Sequence, residues 1–208
     1  MKEFLEMDEE SEAISSIEMM AEQSGLLEVD QYRWKWFIIA LHNSLQCFMI
    51  LALYSMNPIP ILRDDHSKKF VEDFYNRDKS KKNTNYKLDN FKNLYLKIKN
   101  KAKNNNLLIN YYIASKTADW SIKTLNKYRN DFTHYLPSGT SRSIINMIYI
   151  SSDGLEILKH LCYKTGRIKL TRQNSEKTKS ALNTTIKNIN RLIELYDCKA
   201  VKQDLIVD

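Results

Sequence analysis

Apolar residues recur along this chain at intervals of three and four, the period that puts them on one face of an α-helix. In residues 9–23 the stripe is Ile14, Ile17 and Met20 or Ala21, with Gly25 just beyond, which predicts an amphipathic first helix. Asp30 is placed to cap a second, longer helix over Trp34–Tyr54, ended by Pro58 and Pro60. Phe70, Val71 and Phe74 predict a short helix over Ser67–Tyr75, followed by a polar, cationic loop over Asn76–Asn85. Leu88, Phe91, Leu94, Tyr95 and Ile98 predict a helix within 88–101. After an Asn104-Asn105-Asn106 turn, Leu107–Ala114 fits a short helix better than a strand. Trp120, Leu125, Tyr128, Phe132 and Leu136 line one side of a helix over Ala118–Leu136, closed by Pro137 and Gly139. Two further helices are expected, Lys177–Tyr196 and, before it, Arg142–Tyr163, with Ser151-Ser152-Asp153-Gly154 as a candidate interruption of the latter.

Composition supports an all-α fold. The 208 residues are 43% hydrophobic yet contain only 4 glycines and 3 prolines, too few turn residues for a barrel, a sandwich or a doubly wound sheet. The Trp34–Tyr54 stretch is long enough for a membrane span, but His42, Asn43, Ser44 and Gln46 in its middle favour a helix buried by other helices. Met1–Asp8 lacks the basic and apolar blocks of a signal peptide, and the three widely spaced cysteines require no oxidising compartment, so a cytoplasmic protein is expected. Cys47 and Cys162 read as core thiols.

Charge sharpens the picture. Residues 1–28 carry nine acids against one base, so the rest of the chain is far more basic than the net +7 suggests. Nine lysines and one acid fall within Lys79–Lys103, a candidate phosphate-facing edge or simply a solvated one. The acidic head reads either as a cover over part of the basic surface or as a solvated helix.

Candidate chemistry is concentrated in Arg129-Asn130-Asp131-Phe132-Thr133-His134. An imidazole exchanges protons near neutral pH, and a guanidinium presents fixed charge and a fork of donors to a phosphate. Five positions on a regular helix leave Arg129 and His134 about 140° apart, so convergence requires a long reach, a distorted last turn or a second subunit. Such a pair suits metal-independent RNA cleavage. His134 would serve as general base on the 2′-hydroxyl or general acid on the 5′-oxygen, Arg129 would neutralise the transition state, and Asn130 would orient the imidazole or hold a phosphate oxygen. The bland alternative is a surface Arg129 paired with Asp131 or another acid, and a His134 that caps the helix. Lys127 and Arg142 are the candidate extra phosphate contacts. His42, Asn43 and Gln46 fit a buried polar network, beneath the cleft or along a dimer seam, better than a second catalytic histidine. Trp34, Trp36 and Trp120 suit packing more than base stacking. Asp64-Asp65-His66 reads as loop, and with no HxH, HExxH, CxxC or glycine-rich phosphate loop, no metal or cofactor is expected.

The Arg129–His134 run matches the R-polar-xxx-H ribonuclease motif of the HEPN superfamily, helical domains of prokaryotic defence, toxin–antitoxin and RNA-processing systems. Trp34–Gln46 with Leu51-Ala52-Leu53, and Tyr128–Gly139, resemble a group of uncharacterised plasmid and bacterial HEPN-like proteins. The resemblance spans roughly residues 30–165. It implies a HEPN-like helical bundle over 29–165; the helical pattern outside that span adds an acidic N-terminal helix (1–28) and a C-terminal helical extension (166–208) packed on the same domain. The resemblance also implies a homodimer with two motifs at its interface, endoribonuclease activity through Arg129, His134 and Asn130, and an antitoxin or other regulatory partner. The competing expectation is a non-catalytic helical module that binds RNA or protein, and a third is structural self-assembly through apolar helix faces.

Overall fold

The computed structural model describes residues 4–54, 57–75, 85–99, 108, 110–134 and 141–198. Within them lie seven α-helices and one short 3-10 turn, with no strand. Most of the loop at 76–85, the Asn104–Asn106 turn, the chain break at Pro137–Gly139 and Leu136 fall outside the described residues.

Helix α1 (Glu9–Ser24) begins where the sequence places it, because a capping box closes its first turn. The Asp8 carboxylate accepts from the Ser11 amide at 2.7 Å, and the Ser11 hydroxyl accepts from the Asp8 amide at 2.8 Å. Its apolar stripe, Ala13, Ile14, Ile17 and Met20, is buried. Helix α2 (Arg33–Leu53) is the centre of the molecule, packed by α1 and by the later helices α4 (Phe91–Lys99), α5 (Ala118–Thr133) and α6 (Ile144–Tyr163). It is the one described helix long and apolar enough to cross a membrane, and here Phe37, Leu41, Leu45 and Phe48 are wholly covered by protein. Asp30 does not cap it through the helix's own N-cap position, which is Tyr32; its carboxylate instead accepts from the Tyr32 amide at 2.9 Å and from Arg33 Nε at 3.1 Å.

After the Ile59–Ile61 turn, α3 (Asp64–Tyr75) starts three residues before the expected Ser67, with Asp64 and Asp65 in its first turn where the helix dipole favours acids. Helix α4 (Phe91–Lys99) starts later than Leu88. Leu88 instead forms an antiparallel bridge with Leu62, and Asn90 caps the helix by accepting from the Asn93 amide at 3.0 Å. The short helix expected over Leu107–Ala114 is absent from the described part of that segment. The segment directs its polar groups outward: the Tyr112 amide donates to Ile98 O at 3.1 Å, and Asn110 Nδ2 donates to Lys164 O at 2.7 Å.

Helix α5 (Ala118–Thr133) is followed by α6 (Ile144–Tyr163), which runs unbroken through Ser151-Ser152-Asp153-Gly154. Three of those residues, Ser151, Asp153 and Gly154, face inward instead of ending the helix. Ser151 Oγ bonds back to Met147 O, Asp153 Oδ2 accepts from Ser121 Oγ at 2.5 Å and so ties α6 to α5, and Gly154 lets α6 approach α2. A Cβ on Gly154 would stand 3.2 Å from Leu41 methyls, closer than ordinary contact, so only glycine fits there without repacking.

Helix α7 (Arg172–Leu195) starts five residues before the expected Lys177. Its polar first turn is held by α1, whose Glu10 carboxylate accepts from the Thr171 amide at 3.2 Å and Asn174 Nδ2 at 2.6 Å. Buried residues of α1, α2, α4, α5, α6 and α7 form one hydrophobic cluster, so both terminal helices belong to the core. Two further acids of the N-terminal segment also pair with α7, Glu18 of α1 with Lys177 at 3.6 Å and Glu28, in the turn beyond α1, with Arg191 at 2.9 Å. Cys47 and Cys162 are thiols with pKa values pushed up, by burial first, to about 11 and about 12, as suits core residues.

Candidate active site

The last turn of α5 carries the Arg-Asn-Asp-Phe-Thr-His run. Thr133 Oγ1 bonds back to Arg129 O at 2.9 Å, and the His134 amide donates to Asn130 O at 2.8 Å, so the turn stays closed up to the histidine. His134 then leaves the helix with φ −110° and ψ 69°, its side chain exposed. This is a departure from helical geometry at the residue where convergence with Arg129 requires one.

Arg129 is half-buried. Its Nη1 donates to Asn130 Oδ1 at 3.1 Å, and its Nε is buried with no acceptor. Among the described residues it has no carboxylate partner, and no hydrogen bond joins its side chain to that of His134. Asp131 pairs instead with Arg142, at 2.5 Å. Arg142 also lies over the Tyr128 ring, 5.2 Å from its centroid, which ties the start of α6 to the end of α5. The two arginines therefore differ: the charge of Arg142 is matched, and that of Arg129 is not. Asn130 touches Arg129 through its side chain and His134 only through its backbone carbonyl.

Behind Arg129, α2 supplies His42, only 2% exposed and stacked on Phe91 of α4 at 3.9 Å between ring centroids. Its Nε2 lies 3.2 Å from Asn126 Oδ1, and its Nδ1 is buried without a partner. An acceptor oxygen opposite Nε2 calls for a hydrogen there, so the neutral form of His42 is the Nε2–H tautomer. Burial pushes its pKa down to about 4; the Asn126 hydrogen bond opposes that shift and the charge of Arg129 adds to it. His42 is thus buried and tied to α5 through Asn126, whereas Asn43 and Gln46, expected in one buried network with it, are only half-buried, and Asn43 lines a groove against α1.

The buried imidazole makes stability depend on pH. The folded chain protonates His42 near pH 4 and the unfolded chain near 6.5, so stability present above pH 6.5 is lost as pH falls towards 4. The loss should reach about 3 kcal/mol. His42→Gln keeps a donor near the Nε2 position and does not titrate. Urea unfolding at several pH values should therefore show the variant gaining on the wild type with acidification, whereas a pH-independent difference would contradict the assignment.

On the outer side of α5, a groove of about 430 Å³ runs between α5 and α4. Lys92, Trp120, Lys123, Asn126, Lys127 and Asn130 are among its lining residues. Lys127, expected as a phosphate contact, lines this groove together with Lys92 of α4 and Lys123 and Asn126 of α5. For Lys123, Asn126 and Lys127, the spacing of three and four residues along α5 was the available signal. Of the lysine-rich edge, Lys97 is instead buried against Asp89 and Lys99 pairs with Asp119. Trp34 is buried, Trp120 is half-buried and Trp36 is 52% exposed on the far face of α2. Among the described residues no three His, Cys, Asp or Glu side chains stand together as a metal site.

Comparison with known proteins returns no matching family model, no matching curated protein and no matching solved structure.

Proposed function

We propose that this protein is a metal-independent endoribonuclease of HEPN-like type, with Arg129 and His134 as its catalytic pair and Asn130 in support. The observation that carries the reading is the unmatched guanidinium of Arg129 in the last turns of the helix that His134, exposed, ends. Its neighbour Arg142 is neutralised by Asp131, so the free charge falls on the motif arginine. A half-buried cation with unfilled donors is a ready partner for a phosphate.

In the proposed reaction the ribose 2′-oxygen attacks the adjacent phosphorus and the P–O5′ bond breaks, leaving a 2′,3′-cyclic phosphate and a 5′-hydroxyl. The proton from the 2′-oxygen goes to an imidazole, and the 5′-oxygen receives one. His134 performs one of these transfers, and a second copy across a two-fold axis supplies the other. Arg129 stabilises the charge that builds on the non-bridging oxygens. A homodimer in the cytoplasm, acting in phage defence or with an antitoxin, belongs to the same proposal. A DNA strand carrying a single ribonucleotide tests the chemistry: cleavage should occur only after that ribonucleotide, and cleavage of the all-DNA strand would overturn it.

The second reading, a non-catalytic module that binds RNA or protein, draws support from the lack of a hydrogen bond between Arg129 and His134. It expects salt-sensitive RNA binding with no product.

A further inference from the structure

Three lysines near the motif have no ion-pair partner among the described residues. Lys97 and Lys99 on α4 are neutralised by Asp89 and Asp119, whereas Lys92, on the same helix, opens into the α4–α5 groove with Lys123 and Lys127 of α5. Asp131 is the one acid on the groove wall, and Arg142 cancels it. Repulsion among three unmatched ammonium groups along one groove is relieved by a polyanion.

Two further features give the groove a shape that lysines alone would not. Asn126 lines it, and the buried His42 fixes the Asn126 oxygen inward, so the amide N–H pair is the end left for a ligand. Trp120 sits half-buried on the same wall, packed against the core on one side and open to the groove on the other, as a platform for a base requires. Trp120, Lys123, Lys127 and Asn130 follow one another along about 15 Å of α5. Asn130 ends the row and touches Arg129.

We propose that the α4–α5 groove is the track for an unpaired RNA strand, with Lys92, Lys123 and Lys127 on its phosphates, Asn126 as a fixed donor and Trp120 stacking a base, so that the strand is delivered to Arg129 and His134. The inference rests on the nuclease reading for the identity of its ligand. Unpaired RNA is favoured over duplex because a stacking platform needs a splayed base. The far rim of the molecule offers a matched control, since Lys169, Lys179 and Lys187 are also exposed.

The test measures binding of a labelled single-stranded RNA by the full chain in EDTA over a range of salt. Lys92→Gln/Lys123→Gln/Lys127→Gln should bind at least tenfold more weakly, with the slope of log affinity against log salt shallower by about 2. Lys169→Gln/Lys179→Gln/Lys187→Gln, which removes the same charge, should bind nearly as the wild type. Trp120→Phe should retain binding that Trp120→Ala loses. If the two triple variants bind alike, the groove is wrong although RNA binding stands. If the groove variants alone lose affinity and no RNA is cut, the groove holds and the nuclease reading falls. A wild-type chain without RNA affinity overturns both.

Discussion

Replacing Arg129 by alanine should lower the rate of RNA cleavage by about 10²–10³-fold, the usual effect of removing a donor that faces developing charge. The fold should survive. Arg129 has no carboxylate to leave behind, its contact with Asn130 is exposed, and its buried Nε is already without an acceptor. Removing an unsatisfied buried donor relieves a desolvation cost, so the variant should unfold no more easily than the wild type. The positive charge that helps hold the His42 pKa down would also be gone. Arg129→Lys keeps the charge but loses the fork and should fall between the two. Arg142→Ala gives the opposite pattern, because it strands Asp131 and frees the Tyr128 face while leaving the proposed catalytic pair intact. A rate loss confined to Arg129, read beside thermal melts of all three variants, separates catalysis from scaffold. Equal rate losses for Arg129→Ala and Arg142→Ala would remove the special role of Arg129.

The largest effect on stability is expected at Asp89 and Lys97. Their side chains are 3% and 10% exposed and meet at 2.6 Å, and Lys97 Nζ also donates to Leu62 O at 3.0 Å. Asp89 in turn accepts from the Asn90 amide at 2.9 Å and Asn93 Nδ2 at 2.8 Å. Together these bonds fix the start of α4 to the 57–63 segment. Asp89→Ala leaves the ammonium group buried without its counter-charge, a change worth about 3–5 kcal/mol. The midpoint of thermal unfolding should fall by roughly 10 °C. The same helix carries Phe91, stacked on His42, and Lys92 on the groove, so RNA binding should weaken with it. An Asp89→Leu/Lys97→Met double variant should recover much of the stability, since well-packed apolar side chains often replace a buried ion pair at little cost. A single Asp89→Ala variant as stable as the wild type would show that the pair is more hydrated than its burial implies.

The helices were legible wherever an apolar stripe faces a core. Ile14, Ile17 and Met20 in α1, and Leu125 and Tyr128 in α5, lie on buried faces as their spacing requires. Tertiary partners explain the misses. Local pattern cannot show that Glu10, more than 160 positions away, holds the polar first turn of α7. Nor can it show that the segment around Tyr112 bonds to α4 and α6 in place of itself. Ser151-Ser152-Asp153-Gly154 has the composition of a break, yet three of its residues serve the interior. Ser151 bonds back to its own helix, Asp153 is tied to Ser121, and Gly154 permits the close approach to Leu41.

At the site, the sequence singled out the motif, Lys127 and Arg142. The ion pair that occupies Arg142 was hidden, because Asp131 stood beside Arg129 in the chain and was the natural partner to assign it. The His42–Asn126 bond joins residues 84 positions apart and had no local signal. The acidic first helix changes meaning as well. Ile17 and Met20 are wholly buried and Glu18 and Glu28 face α7, so deleting residues 1–28 would remove part of the core together with its charge. Whether those acids restrain RNA binding is tested by Glu→Gln changes, with the helix left in place.

The most direct measurement incubates the purified chain and its His134→Ala variant with labelled single-stranded and cellular RNA in EDTA, followed by analysis of the product ends. The account requires cleavage by the wild type to 2′,3′-cyclic phosphate and 5′-hydroxyl ends, and loss of that activity by about 10²–10⁴-fold in the folded variant. Intact RNA with both proteins, or equal cleavage by both, would contradict it.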